Sequence, residues 1–333
     1  MGAPPPMVTV VMPVRNESAF IARSLGAVVE QDYPRDRLEI LVVDGRSTDD
    51  TVAIVRAMSE RHAGIRVLDN PQLVQSAALN LGIRAARGEI VVRIDGHAFV
   101  AADYVSRCVE LLGSGRADNV GGRMRPEAPG VVGRAIALAT SSRFGLGNSK
   151  FHYSDEEQYV DTVYLGAYRR EVLERIGLYD ESIDVNEDYE LNYRLRRAGG
   201  RILLSPRIRS TYRPRDSLRT LGAQYLRYGR WKGRILREHP GSLVPRQVVP
   251  PLFVAALVVA GLVSLVWPPA LAALLAGVGA YAIGCVAAAI VVVRGEWRLL
   301  PAAAAAFPTL HLTWGAGVWW GLVAPPASTA TAA

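Results

Sequence analysis

The sequence has two cysteines, Cys108 and Cys285, in 333 residues, too few for a disulfide framework or a cysteine metal cluster. No glycine-rich phosphate loop follows its apolar runs. Neither GxGxxG nor GxxxxGK[ST] is present, so a dinucleotide or P-loop site has no support. The opening "MGAPPPM" offers neither the basic start nor the apolar core of a signal peptide. Charge is missing from one region only: from Val248 onward the strongly charged residues are Arg294, Glu296 and Arg298. No segment resembles a nucleic-acid module. The net charge of +7 therefore reads as attraction to anionic lipid headgroups or to phosphate-bearing substrates.

What is present divides in two: a charged, mixed domain over 1–237 and a membrane domain over 238–333. Three stretches, 248–267, 270–293 and 299–323, meet the requirement of roughly 20 apolar residues for a bilayer span. Pro301, Pro308 and His311 give the third the character of a kinked or partly interfacial helix. Between Arg194 and Arg246 there are 15 Lys or Arg against two acidic residues, Asp216 and Glu238. Such a segment stays on the cytoplasmic side. Counting forward, "WPPA" falls outside, "RGEWR" inside and the tail "APPASTATAA" outside, a multi-pass protein of the inner membrane with its large domain in the cytoplasm. From about residue 216 the chain reads as a basic interfacial segment, "QYLRYGRWKGRILREHP" at 224–240, in which Trp231 and the tyrosines suit headgroup level.

Over the first domain, strand and helix signals alternate. "MVTVVMPV", "LEILVVDG", "IRVLDN" and "EIVVRIDG" are apolar runs, and continuous apolar strands between helices predict an α/β fold with a sheet covered on both faces. Asp44 and Asp95 then fall at carboxyl ends of strands, where such sheets gather ligands. Asp95-Gly96-His97 reads either as a strand end turning into solvent or as a pair of ligands for Mg²⁺ or Mn²⁺. Glu17 and Asp49 suit helix starts. In "NEDYELNYRLRRAGG", Leu191 and Leu195 share a helical face, which puts Asn186, Glu187 and Asp188 at the helix N-terminus, as caps or as reactive carboxylates.

"PVRNE" (13–17), "VVDGRSTDDT" (42–51), "NLGIRAARGEIVVRIDGHA" (80–98), "AYRREVLERIGLYDE" (167–181) and "NEDYELNYRLRRAGGRI" (186–202) occur in an order that resembles the family 2 glycosyltransferases. The resemblance implies a GT-A fold, a Rossmann-like mixed sheet, here followed by transmembrane helices as in membrane-anchored bacterial exopolysaccharide glucosyltransferases. It implies that Asp44, with Glu17, Pro13 and Arg15, binds the nucleobase or ribose of a donor, that Gln75 and Asn80 lie near that donor, and that Asp95 and His97 hold Mn²⁺ or Mg²⁺. The family's Asp-X-Asp is written Asp95-Gly96-His97 here. Asp188 of the Glu187-Asp188 pair corresponds to the general base. Processive synthases of the family carry Gln-X-X-Arg-Trp; this chain keeps Arg230-Trp231, a candidate contact to a diphosphate or acceptor sugar, but has Arg227 where the glutamine would stand. The partners implied are a nucleotide-sugar donor, foremost a UDP-sugar, a polyprenyl-linked acceptor and membrane lipids, with homo-oligomerisation left open. A polyprenyl-phosphate sugar transferase, whose acceptor needs no base, and a catalytically silent sugar-nucleotide sensor are the alternatives.

Overall fold

The apolar runs form the strands they predict, and both their faces are covered. In the computed structural model, which describes residues 4–324, β1 (Val8–Val14), β2 (Leu38–Asp44), β3 (Ile65–Asp69) and β4 (Ile90–Arg93) pair in parallel in the order β3-β2-β1-β4. Val8, Val10 and Met12 enter one core cluster and Val11 the other, the period-two alternation of a strand between two helical layers. α1 (Ile21–Val29), α2 (Thr51–Ser59) and α4 (Tyr104–Gly113) cover the first face; α3 (Gln75–Ala85), α7 (Arg170–Ile176) and α8 (Glu187–Arg197) cover the second. The register Val14↔Asp44↔Asp69 brings the carboxyl ends of three strands to one edge.

Beyond β4 the sheet becomes mixed. β5 (Ala98–Val100), β6 (Asn119–Pro126), β7 (Gln158–Tyr159), β8 (Tyr164–Arg169) and β9 (Ile202–Tyr212) complete nine strands, with β8 antiparallel to β4 and to β6, and β6 parallel to β9. β6 carries a register shift opposite β9, and there Gly122 approaches so closely that a Cβ would lie 1.9 Å from the Ile208 carbonyl oxygen.

Contacts divide the chain into two units, one through Pro126 together with Lys150–Arg213, the other Glu127–Ser149 with Pro214 onward. The second unit comprises α5 (Val131–Thr140), α6 (Arg143–Leu146), α9 (Leu218–Glu238), α10 (Pro245–Ser264), α11 (Pro269–Val293) and α12 (Leu300–Val323). α10 and α11 are long and apolar enough to cross a membrane. Their large side chains face outward, among them Val266 at 85% and Leu265 at 79% exposure just beyond α10 and Val291 at 73% in α11, the kind of exposed apolar surface that marks a membrane or partner contact. The third expected span is a helix, but among the described residues only α10 and α11 meet the requirement. The tail from 325, expected outside the membrane, lies outside the described residues.

Gly122→Ala should force β6 from β9 and cost about 1–3 kcal/mol, the usual range for overpacking. Thermal unfolding of the detergent-solubilised protein measures this, and an unchanged midpoint would show that the bulge relaxes freely.

Candidate active site

At the edge where β1, β2 and β4 end, the sequence-predicted residues fall into two groups. The first is built on β1 and β2. Asp44, buried at the end of β2, accepts hydrogen bonds from Ser47 N and Ser47 Oγ, the latter at 2.6 Å, so its carboxylate is oriented by its own turn. Pro13 is buried opposite Val43, and the exposed Arg15 follows, its stem against Gly45. Asp49 serves the loop: it accepts from Ser18 N and from Thr51 N and Oγ, which is the helix-start role its position suggested.

The second group surrounds a residue that the motifs did not single out. Arg93, the last residue of β4, is buried, and its Nε donates to Asp95 Oδ1 at 2.8 Å while Nη2 reaches Oδ2 at 3.3 Å. Its Nη1 lies 2.8 Å from Glu187 Oε1 in an ion pair but has no hydrogen-bond partner. Gln75 Nε2 donates to Asp95 Oδ1 at 3.2 Å. His97 Nδ1 meets Glu17 Oε1 at 2.8 Å; Gly96 permits this, because a Cβ there would sit 2.9 Å from Glu17 Cγ. Thus Glu17 stands beside the Asp95-Gly96-His97 turn as well as near the β1 end.

α8 delivers Glu187 and the half-buried Asp188 to the same place. Its position is fixed by a buried asparagine: Asn192 Oδ1 accepts from Asn119 Nδ2 and Tyr168 Oη, and its Nδ2 donates to Thr162 Oγ1 at 2.9 Å. Asn186 starts the helix in the left-handed region, φ 67°, a conformation asparagine tolerates. Asn80 belongs to neither group. Its amide is spent on the Tyr179 backbone, at 2.8 and 2.9 Å, and on Glu181, which holds the loop leading to α8; it positions rather than lines the site. Arg230 and Trp231 lie in α9, in the second unit.

The electrostatics follow from one guanidinium serving three carboxyls. Burial alone would raise the Asp95 carboxyl, but Arg93 outweighs it and holds Asp95 below the usual carboxylate range. For Glu187 and Asp188 burial prevails over Arg93, and mutual repulsion with Asp95 adds to it, so both are raised. A pocket that cannot comfortably ionise all its carboxyls suits an additional cation. Among the described residues no three His, Cys, Asp or Glu side chains are set to hold a metal by themselves. Asp95 and His97 are the side chains of this turn with the chemistry to ligate a divalent cation, the carboxylate suiting Mg²⁺ or Mn²⁺ and the imidazole suiting Mn²⁺ better than Mg²⁺.

The sequence offered one signal for Arg93: an arginine inside an otherwise apolar strand run, two residues before Asp95. Such a charge is rarely buried unless paired. Arg93→Leu should destabilise the fold by about 3–5 kcal/mol, because it strands buried carboxylates. Without the guanidinium, the folded-state pKa of Asp95 rises above its unfolded value and that of Glu187, already raised by burial, rises further, so the stability they carry is present at low pH and lost as pH rises through the folded values. The deficit against the parent should therefore be larger at pH 8 than at pH 5. Unfolding midpoints across that range check it, and a pH-independent deficit would exclude stranded charge as the cause.

The chain is similar to known glycosyltransferases. The profile of the family described as "Glycosyl transferase family 2" matches residues 9–177. The succinoglycan biosynthesis protein ExoA of Rhizobium meliloti (strain 1021) is 32% identical over 314 residues, 93% of each chain. A dolichyl N-acetyl-alpha-D-glucosaminyl phosphate 3-beta-D-2,3-diacetamido-2,3-dideoxy-beta-D-glucuronosyltransferase of Methanococcus voltae is 27% identical over 247 residues, 69% of this chain and 74% of its own. Among solved structures, the mannosyltransferase PcManGT from Pyrobaculum calidifontis in complex with GDP-Man and Mn²⁺ superposes with a TM-score of 0.65 at 23% identity, over 96% of this chain and 87% of that one, a likeness of fold. With a mixed GT-A sheet, the family's profile over half its length and a relative matched almost end to end, the chain belongs to glycosyl transferase family 2.

Proposed function

We propose that this glycosyltransferase is metal-dependent and inverting, and that it moves a sugar from a nucleotide donor, foremost a UDP-sugar, to a hydroxyl of a polyprenyl-diphosphate-linked glycan at the cytoplasmic membrane face during extracellular polysaccharide assembly. The observation that carries it is the set of three carboxyls, Asp95, Glu187 and Asp188, around the single guanidinium of Arg93. The membrane and polysaccharide parts rest on the apolar surface of α10 and α11 and on the succinoglycan and dolichyl-phosphate names of the relatives.

In this reading Asp44, Pro13 and Arg15 receive the base and ribose. Asp95 and His97 would hold Mn²⁺ or Mg²⁺, which when bound supplies positive charge beside the donor's diphosphate. Arg93 keeps Asp95 ionised and draws Glu187 into the pocket. Asp188, its proton affinity raised by burial, takes the proton of the acceptor hydroxyl while that oxygen bonds to the anomeric carbon, and the bond to the diphosphate oxygen breaks on the opposite face. One displacement inverts the configuration. A base with a raised pKa is suited to this, because proton acceptance is most effective near the operating pH.

Asp188→Asn preserves shape but not basicity, and transfer to a lipid-linked acceptor should fall by about 10²–10⁴-fold, the usual contribution of a positioned base. Donor binding, followed by calorimetry with a panel that includes UDP-glucose and GDP-mannose, should persist. Transfer at the parent rate would favour an acceptor phosphate, which needs no base.

A second pair of variants tests the cation. Asp95→Ala should abolish the Mn²⁺ dependence of nucleotide binding, and His97→Ala should weaken it less, since a carboxylate contributes charge to a hard cation and a neutral imidazole only a lone pair. Unchanged Mn²⁺ dependence in Asp95→Ala would remove the site from that turn.

A further inference from the structure

α9 is the most basic helix of the chain, with Arg219, Arg227, Arg230, Lys232, Arg234 and Arg237 against Glu238. Its partner is α12, and their seam is made of glycine. A Cβ on Gly229 would lie 2.3 Å from Trp314 O, and one on Gly233 2.3 Å from Val318 O; on α12, a Cβ on Gly317 would meet Leu226 O at 2.4 Å and one on Gly321 would meet Arg230 O at 2.0 Å. Each helix therefore carries Gly-x-x-x-Gly, at 229–233 and 317–321, with the backbones in direct contact. Further along, Gly222 faces Thr309 and Thr313, so the two helices run parallel. Wherever α12 goes, a row of cations goes with it.

Both ends of α12 are also tied to one end of the α10–α11 pair. Its start follows Val293, the last residue of α11, after residues 294–299. Its end is held where Arg237 Nη1 donates to Ala324 O at 2.6 Å, in the last turn of α9. Just before that turn, α9 is fastened to the entry of α10 by the buried Lys232, whose Nζ donates to Ser242 O at 3.0 Å and Ser242 Oγ at 2.9 Å, shortly before Pro245. If α10 and α11 cross the bilayer as a hairpin, Pro245 and Val293 share a face. α12, about 36 Å long at 1.5 Å per residue, begins and ends at that face, its middle leaning on Pro250 of α10 and Tyr281 of α11. A helix with both ends on one side has not crossed.

We infer that α12 and α9 form a two-helix layer in one membrane interface, that α10 and α11 alone cross, and that the layer binds anionic phospholipid headgroups through Arg230 and Arg234. The inference rests on reading α10 and α11 as spans, and it replaces the three-span topology with two spans, both ends of α12 lying on the side where α10 begins. The headgroup assignment has its own observations. Arg230 and Arg234 each keep a buried Nε without a hydrogen-bond partner, while their guanidiniums stack on Trp320 at 4.5 Å and Trp231 at 4.8 Å. Burial and the like charges of Arg230 and Arg237 make Arg234 a weaker base than usual, a crowding that a phosphate would relieve. Indoles at headgroup depth are the familiar companions of such cations. A phosphate oxygen pairs with a partly exposed guanidinium through charge-assisted hydrogen bonds.

The full chain carrying an epitope tag at each end, expressed in a cell whose membrane can be opened selectively, tests the topology. Both tags should become accessible to protease together; tags on opposite faces would overturn the inference. In the same chain, with Cys108→Ala and Cys285→Ala, a Val266→Cys variant should react with an impermeant thiol reagent from the face opposite the tags. If it does not, the reading of α10 and α11 as spans fails and the inference falls with it, an outcome distinct from tags on opposite faces. For the headgroups, phosphatidylglycerol should raise the unfolding temperature of the solubilised parent more than phosphatidylcholine does, and Arg230→Gln/Arg234→Gln should lose most of that difference. Arg230→Gln alone serves where the double variant does not fold. Equal effects of the two lipids on the parent, or a difference that survives the substitutions, would overturn the headgroup assignment.

Discussion

A guanidinium buried at the end of β4, held between a carboxylate on the following turn and another at the start of α8, is the interaction on which the catalytic unit depends. Arg93 joins elements far apart in sequence, β4 and α8; it holds Asp95 ionised and limits the rise that burial imposes on Glu187 and Asp188. Remove the positive charge and the pocket would hold acids that repel one another in a dry environment, where ionisation is costly. With it in place, Asp95 remains a carboxylate, and Glu187 and Asp188 are left with raised proton affinity. That charge imbalance is what the proposed cation would relieve.

The polar supports are as specific as the charges. Asn192 anchors α8 through Asn119, Tyr168 and Thr162, and Asn80 clasps the backbone at Tyr179 on the way to that helix. Each is a buried amide with its hydrogen bonds satisfied, so moving the helix would expose an unsatisfied polar group as well as open the core, at a cost of about 1–3 kcal/mol per group. Rigidity is thereby delivered to the two residues at the tip of α8. In the second unit, glycines let α9 and α12 meet backbone to backbone, and the basic character of α9 then constrains where α12 can lie.

The alternating apolar runs stated the α/β architecture because a strand buried on both faces has no room for polar residues, and Asp44, Asp95, His97, Glu187 and Asp188 could be named because each stands where a run ends or a helix begins. Their grouping was less legible. Glu17, which the sequence placed at the base or ribose, also meets His97 across Gly96, a contact between segments 80 residues apart that no local pattern encodes. Asn80, adjacent to an informative motif, is consumed by a loop; its neighbour in space, Tyr179, is 99 residues away.

What the sequence by itself determined is therefore what depends on local order: the strands, the helix starts, the family's ordered motifs and the uncharged stretches of α10 and α11, all set by the side chains of consecutive residues. Tertiary structure alone decided the ion pairs of Arg93, the hydrogen bonds of the buried polar residues and the packing of α12 against α9. Hydropathy counts the side chains of a helix but not its companion, and α12 is bound along its glycine seam to a helix carrying six cations. The physical reason is the same in each case: the energy of a buried charge, or of a helix in a membrane, is fixed by what lies against it in space.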